Sequence, residues 1–331
     1  GSAEPGAGRA RQSPRAAVGS IRRIGVLRRR IRTSGTGGSA AAPFRAPAAG
    51  RSLAAVNESL PDLTRPEFPR SSRYDASFVL DNQMGPNALW LLEWLCERLP
   101  LEPGMRVLDL GCGRAMTSVF LAKELGVSVH AVDLWMDPDR SWERVVAAGV
   151  ADRVCPMRAE AHALPFAAGY FDAVVSVDAF HYFGTDALYL DYLARFVREG
   201  GLLGIVVPGL ARPLDGGVPP WLLEPQSNGK AFWDPSCRSF LTAAAWEAIW
   251  AGSPLLTGVS ADLQPDGWRH WAAFERAIEA SGKGIFPSDA EAIEKDAGRT
   301  LGFVRVAARR GPAAGENFYD AALGVRAGAE R

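Results

Sequence analysis

The segment that most constrains the fold is "VLDLGCGRAM", Val107–Met116, an apolar run that breaks into two glycines. The apolar residues up to Leu110 predict a buried strand. Gly111 and Gly113 permit a tight turn in which a ligand can approach backbone N–H groups closely. A turn of this kind, leading from a strand into a helix, indicates a site for a nucleotide cofactor.

The residues around this turn discriminate between cofactor classes. The dinucleotide fingerprint G-x-G-x-x-G requires a third glycine, and Met116 stands at that position. Asp109 at the mouth of the turn would repel a pyrophosphate, whereas it can pair with the ammonium group of an amino-acid tail. Asp133, 22 residues after Gly111, is placed to accept hydrogen bonds from ribose hydroxyls. The pattern favours S-adenosylmethionine, which carries such a tail and no phosphate.

Strand and helix patterns alternate along the chain after Pro86. Helical spacing is found over 115–125, 139–149, 185–198 and 239–252, and strand patterns over 105–110, 127–133, 153–158, 172–178, 202–208, 255–262 and 300–309. Strands joined by crossover helices run parallel. The order therefore predicts a doubly wound, mostly parallel α/β sheet.

Composition limits the classes of partner. With 331 residues and 47% hydrophobic content, the chain can bury a sizeable core. Residues 1–51 hold eleven arginines and one acid, and the rest of the chain carries 26 basic and 36 acidic side chains. The acidic balance of that larger part argues against a nucleic-acid or anionic-membrane partner.

The ends of the chain and its cysteines suggest organisation and location. Residues 1–55 are rich in Arg, Ala, Gly and Pro, which predicts a disordered tail, with an organellar transit peptide as the alternative. We expect one domain over 56–310, with cap segments at 209–253 and 263–298, and a C-terminal tail over 311–331. The four cysteines form no C-x-x-C pair, and no apolar stretch is long enough for a membrane helix. These features predict a cytoplasmic protein without stable membrane insertion.

Several motifs in order resemble those of the class I S-adenosylmethionine-dependent methyltransferases. They are "VLDLGCGRA", the acid Asp133, "AEAHALPF" and "FDAVVSVDAFHYF", within residues 84–209. "DNQMGPNALWLLEWL" and "LYLDYLARFVREGG" resemble a bacterial small-molecule group in the cyclopropane fatty acid synthase superfamily. The resemblance implies a seven-stranded Rossmann-like sheet whose last strand, 300–309, is antiparallel, with a helical, Trp-rich cap.

The resemblance also implies roles for individual residues. Asp109, Gly111 and Gly113 would surround the methionine moiety of the cofactor, and Asp133 would hold the ribose. The remaining predicted cofactor residues are Leu134 on the adenine ring, Glu160 and Ala161 at the adenine amine, and Asp178 where cofactor and acceptor meet. Glu160 stands where an aspartate is commoner in the family.

Two residues after the fourth strand are candidates for catalysis. His181, with a pKa near neutrality, suits a base that removes a proton from a hydroxyl acceptor, and Tyr182 is a second choice. A histidine among aromatic residues is also typical of a packed core position. The predicted acceptor pocket consists of Gln83, Asn87, Trp221, Trp233 and Trp268, whereas Trp246 and Trp250, four residues apart, predict helix core.

These patterns predict an enzyme that transfers a methyl group to a small-molecule acceptor by in-line displacement. A cofactor-binding protein without catalysis is one alternative, and a nicotinamide-dependent dehydrogenase is another. No metal site is expected. A homodimer is an option that the sequence leaves open.

Overall fold

The computed structural model describes residues 60–312. The tails predicted for 1–55 and 311–331 lie outside these residues, apart from 311–312. Within 60–312, no helix combines the length and the apolar content needed to cross a bilayer.

Residues 60–312 form a seven-stranded sheet with the order β3-β2-β1-β4-β5-β7-β6. Its strands are β1 (Arg106–Leu110), β2 (Ser128–Asp133), β3 (Val154–Arg158), β4 (Phe171–Val177), β5 (Val197–Leu210), β6 (Leu256–Leu263) and β7 (Leu301–Arg310). β7 lies between β5 and β6 and is antiparallel to both. The other paired strands are parallel. The predicted mostly parallel sheet with an antiparallel last strand is confirmed.

Helices connect and cover these strands. They are α1 (Ala76–Asn82), α2 (Ala88–Cys96), α3 (Met116–Leu125), α4 (Pro138–Ala147), α5 (Ala187–Ala194), α6 (Pro220–Leu223), α7 (Ala243–Ala251), α8 (Gly267–Ser281) and α9 (Ala290–Asp296). Short 3₁₀ turns cover Ser71–Arg73, Phe180–Tyr182 and Pro235–Ser239.

Alternate residues of each strand enter opposite faces of the sheet. In β1, Val107 packs with residues of α2 and α3, whereas Leu108 packs with residues of α5 and α7. Both faces are therefore covered, and the strands are buried on both sides. This explains why the central strands read as apolar runs in the sequence.

The end of one helix and the start of another differ from the predicted positions. The helix predicted over 185–198 ends at Ala194, because Val197 already pairs with Phe171 across the β4–β5 ladder. The helix predicted over 239–252 begins at Ala243, after Thr242 caps it through a hydrogen bond from the N–H of Ala245. The sequence prediction missed α1 altogether.

Part of the predicted cap belongs to the core. α7, within the segment 209–253, packs against β6. Its Trp246 and Trp250 are fully buried, which confirms the prediction that these two residues are helix core. α8, within the segment 263–298, packs against β7 and buries Phe274. These two helices complete the helical layers that cover the sheet.

Candidate active site

Both glycines of the turn after β1 have a left-handed backbone conformation. The φ angle is +77° at Gly111 and +53° at Gly113. A Cβ atom at Gly111 would lie 2.4 Å from the Cβ of Ala179, and one at Gly113 would lie 3.0 Å from Sδ of Met84. Conformation and space both require glycine at 111, so the end of β4 can approach the turn closely.

Asp109, at the end of β1, is buried beneath this turn. Its Oδ2 accepts hydrogen bonds from the hydroxyls of Thr117, at 2.7 Å, and Ser118, at 2.6 Å, in the first turn of α3. Its Oδ1 is buried and has no hydrogen-bond partner among residues 60–312. Burial raises the pKa of Asp109 to about 6. A buried carboxylate oxygen without a partner is suited to a cationic ligand group.

Asp133, at the end of β2, holds the glycine turn. Its Oδ2 accepts from the N–H of Gly113 at 3.0 Å, and its Oδ1 accepts from the N–H groups of Trp135 and Met136 at 2.8 and 3.0 Å. A carboxylate offers about four acceptor positions, so about one remains for a ribose hydroxyl. Bonds to both ribose hydroxyls require one backbone contact to be released. Leu134 is 47% exposed and leaves an apolar surface beside the acid.

The predicted adenine contacts lie after β3. Glu160 is exposed, and its two oxygens contact the N–H and Nδ1 of His162, each at 2.8 Å. The carbonyl of Ala161 accepts from the hydroxyl of Tyr189 at 3.1 Å. These two contacts use about half of the acceptor positions of the Glu160 carboxylate, so an adenine amine could still donate to it.

Asp178 is the first residue after β4 and adopts a left-handed conformation, with a φ of +55°. Such a conformation is uncommon outside glycine, although Asp and Asn tolerate it best. A Cβ atom at Gly85 would lie 2.5 Å from Oδ2 of Asp178, so the carboxyl group lies directly against the segment before α2. Burial, and secondarily the charge of Glu275, raise the pKa of Asp178 to about 8.

His181 lies in the 3₁₀ turn after β4 and is 2% exposed. Burial lowers its pKa to about 3, so the expectation of a pKa near neutrality is wrong. Its Nδ1 has no hydrogen-bond partner among residues 60–312. Tyr182 is exposed, and its ring centroid lies 3.9 Å from that of His181. The structure thus favours a packed histidine over a base.

A strap, which we define as residues 81–87, crosses the glycine turn from α1 to α2. Asp81 forms an ion pair with Lys283 at 2.8 Å, and Nε2 of Gln83 donates to the Lys283 carbonyl at 3.2 Å. Oδ1 of Asn87 accepts hydrogen bonds from the N–H groups of Leu89 and Trp90 and so caps α2. Gln83 and Asn87 therefore lie beside the site, but these hydrogen bonds are structural.

The three tryptophans of the predicted pocket separate into two groups. Nε1 of Trp221 donates to Oδ1 of Asp296 at 2.9 Å, and Trp268 packs against the position of Gly298. Both contact the end of α9. Trp233 packs against Phe240, which in turn contacts the ring of His181. Of the three, Trp233 is the one that reaches the turn after β4, through its contact with Phe240.

Sequence reasoning missed Ala115 and Glu275. Ala115 ends the glycine turn with a φ of +62°, a conformation that favours glycine. Its spacing, two residues after Gly113, is a signal that could have identified it. Glu275 lies in α8, 97 residues after Asp178 in the chain, and no local pattern connects the two.

Comparisons with known proteins show which proteins this chain resembles. A family of methyltransferase domains matches residues 107–201. Over 116 residues, 35% of this chain, the sequence is 31% identical to methyltransferase GfsG of Streptomyces halstedii, covering 42% of that protein. It is also 31% identical to 27-O-demethylrifamycin SV methyltransferase of Amycolatopsis mediterranei, and this match covers 35% of this chain and 43% of that protein. The chain thus spans less than half the length of these curated relatives.

A solved structure extends the likeness beyond the motif region. A putative sarcosine dimethylglycine methyltransferase from Galdieria sulphuraria superposes with a TM-score of 0.53 at 20% identity. The superposition covers 68% of this chain and 87% of that protein. At this identity the likeness shows the fold.

The fold is that of the solved methyltransferase structure, and a methyltransferase-domain family matches part of the chain. The methyltransferase-domain match covers residues 107–201, from β1 into β5, and therefore includes the turn and both acids.

Proposed function

We propose that this protein transfers a methyl group from S-adenosylmethionine to a small-molecule acceptor. The observation that carries the proposal is the buried Oδ1 of Asp109, which has no partner among the described residues and lies at the glycine turn. The match to a methyltransferase domain and the names of both curated relatives support the reaction class.

The residues present fit this cofactor. Asp109 would receive the ammonium group of the methionine tail, and Asp133 would accept from a ribose hydroxyl. The exposed side chain of Leu134 would cover the adenine, near Glu160 and Ala161. When bound, the cofactor supplies a methyl group on a positively charged sulfur, and the protein supplies proximity and orientation.

Asp178 is the proton acceptor that the geometry supports for a protic acceptor group. It lies where the end of β4 meets the glycine turn, since its neighbour Ala179 approaches Gly111. Its pKa of about 8 places it close to the operating pH, where a general base is most effective. His181, with a pKa lowered to about 3, is a weak base, and its ring contacts those of Tyr182 and Phe240. Tyr182 is exposed and would be a residue of the acceptor side without a role in proton transfer.

A dinucleotide cofactor fits this turn poorly. In dinucleotide folds the pyrophosphate rests on the helix N-terminus. Here the carboxylate of Asp109 accepts hydrogen bonds from the hydroxyls of Thr117 and Ser118, and it therefore lies against the first turn of α3. A second negative group at that place would be repelled. The dehydrogenase alternative therefore receives no support from the site.

The charge of the chain and its free cysteines support a kind of acceptor and a location. The excess of acids over bases after residue 51 supports a small-molecule acceptor over a nucleic acid. All four cysteines are free thiols, which supports a cytoplasmic location.

Turnover separates this function from cofactor binding without catalysis. The full chain is incubated with methyl-labelled S-adenosylmethionine and a small-molecule extract, and S-adenosylhomocysteine is measured along with label in the extract. We expect both products with the parent protein and less of both with Asp133→Ala when the cofactor is below saturation. Cofactor binding without formation of either product would support the non-catalytic alternative.

A further inference from the structure

A second cavity, of about 400 Å³, opens between α1, α3 and the end of α4. We call it the α1–α3–α4 cavity. None of the residues assigned above to the cofactor or the acceptor lines it. Its volume lies within the range of small-molecule binding sites.

One wall of this cavity is apolar. It is built by Phe78 of α1, Val119 of α3 and the two alanines at the end of α4, Ala147 and Ala148. The ring of Tyr74 packs against Phe78, with a centroid distance of 5.8 Å. This wall suits a hydrocarbon chain or an aromatic ring.

The acids that line the cavity are already engaged. Glu124 forms an ion pair with Arg73 and accepts from the hydroxyl of Tyr74 at 3.3 Å. Oδ1 of Asp75 accepts from the N–H and the hydroxyl of Ser77, which caps α1. Glu124 is therefore already paired with a cation, and neither acid lies within ion-pair distance of Lys123 or Arg144.

Two cations that line the cavity form no ion pair with the described residues. Among residues 60–312, no carboxylate lies within ion-pair distance of Lys123 or Arg144. Nη1 of Arg144 donates to the carbonyl of Arg140 at 3.0 Å, which leaves its other donors available. Burial is the main cause that lowers the pKa of Arg144, and the nearby charge of Arg114 adds to it, whereas the charge of Glu143 partly opposes the shift.

We propose that the α1–α3–α4 cavity binds a small amphiphilic anion, a molecule with one carboxylate, sulfonate or phosphate group and an apolar body. The anionic group binds Lys123 and Arg144, and the apolar body packs against Phe78 and Val119. Guanidinium and ammonium groups recognise such anions by charge-assisted hydrogen bonds. The site is separate from the cofactor site, and the proposal does not depend on the methyltransferase activity.

The probe for the test is 8-anilinonaphthalene-1-sulfonate, which has an aromatic body and one sulfonate. Its binding to the full chain is followed by fluorescence titration, and the neutral N-phenyl-1-naphthylamine serves as the matched ligand. We expect the double variant K123Q/R144Q to weaken sulfonate binding by about tenfold or more and to leave the neutral ligand within about twofold.

Two further variants make the test specific. Arg140→Gln removes a cation from the same helix outside the cavity lining and is expected to leave binding unchanged. Ala147 is exposed, so Ala147→Trp can fill the cavity without disturbing the core, and it is expected to abolish binding of both ligands. Saturating S-adenosylhomocysteine is expected to leave the sulfonate affinity unchanged.

Three results would overturn the proposal. The first is an absence of saturable sulfonate binding, and the second is equal affinity in the parent and K123Q/R144Q. The third is competition with S-adenosylhomocysteine, which would assign the probe to the cofactor site.

Discussion

The carboxyl group of Asp178, at the end of β4, lies within electrostatic range of that of Glu275 in α8. Burial is the main cause that raises the pKa of each group, to about 8 for Asp178 and about 7 for Glu275, and the charge of Glu275 adds to the shift of Asp178. Like charges at close range disfavour double ionisation. The pair therefore retains a proton near neutral pH, at the place where the proposed acceptor meets the glycine turn.

The pH dependence of turnover distinguishes the two candidate bases. A base acts when it is deprotonated, so with Asp178 as the base kcat/KM rises with pH through about 8 and then levels off. With His181, whose pKa is lowered to about 3, the profile would stay flat between pH 5 and 9. Asp178→Asn, which tolerates the same left-handed backbone, is expected to reduce kcat by about 10² to 10⁴. A flat profile in the parent would exclude Asp178 as the base.

Protein stability should respond to the same titration. The pKa of Asp178 is raised in the folded state, so the folded protein binds more protons than the unfolded chain between its ordinary pKa and about 8. Stability therefore falls as pH rises through that window. We expect the Tm of the parent to fall relative to that of Asp178→Asn between pH 6 and 9. Parallel Tm curves for the two proteins would contradict the raised pKa.

Removal of His181 is expected to have little effect on chemistry. His181→Leu replaces a buried ring whose Nδ1 has no partner among the described residues with an apolar side chain. Removing an unsatisfied buried polar group is close to neutral for stability. We expect the Tm to be unchanged and kcat to remain within about threefold, far less than the loss of a general base. A loss of about a hundredfold at unchanged cofactor affinity would restore His181 as the base.

The sheet and the cofactor turn could be predicted from sequence because their signals are local. The apolar run before Gly111 and the acid at 133 lie within one strand–turn–helix–strand unit, and β1 and β2 pair in parallel within it. The environments of Asp178 and His181 were not predictable in the same way. The pKa of Asp178 depends on Glu275, which α8 brings from a distant part of the chain, and that of His181 depends on burial. Such shifts arise from tertiary packing.

The ribose contact can be tested by binding alone. Asp133→Ala removes one ribose acceptor and three backbone contacts that hold the turn. Hydrogen bonds to a charged group contribute roughly 1.5–3 kcal/mol, so affinity for S-adenosylhomocysteine should fall at least about tenfold. Asp152→Ala, which removes an exposed acid paired with its neighbour Arg153, is the matched control. Equal affinity in both variants would remove Asp133 from the cofactor site.

The most direct test of the central claim is calorimetric titration of the full chain with S-adenosylhomocysteine and, separately, with NAD. We predict saturable one-site binding of S-adenosylhomocysteine that weakens in Asp109→Asn. In the parent, this affinity should increase as pH rises through about 6, because the ionised carboxylate pairs with the ligand ammonium. We predict no saturable binding of NAD. Tight binding of NAD, or equal binding of S-adenosylhomocysteine by the parent and Asp109→Asn, would contradict the assignment of this turn.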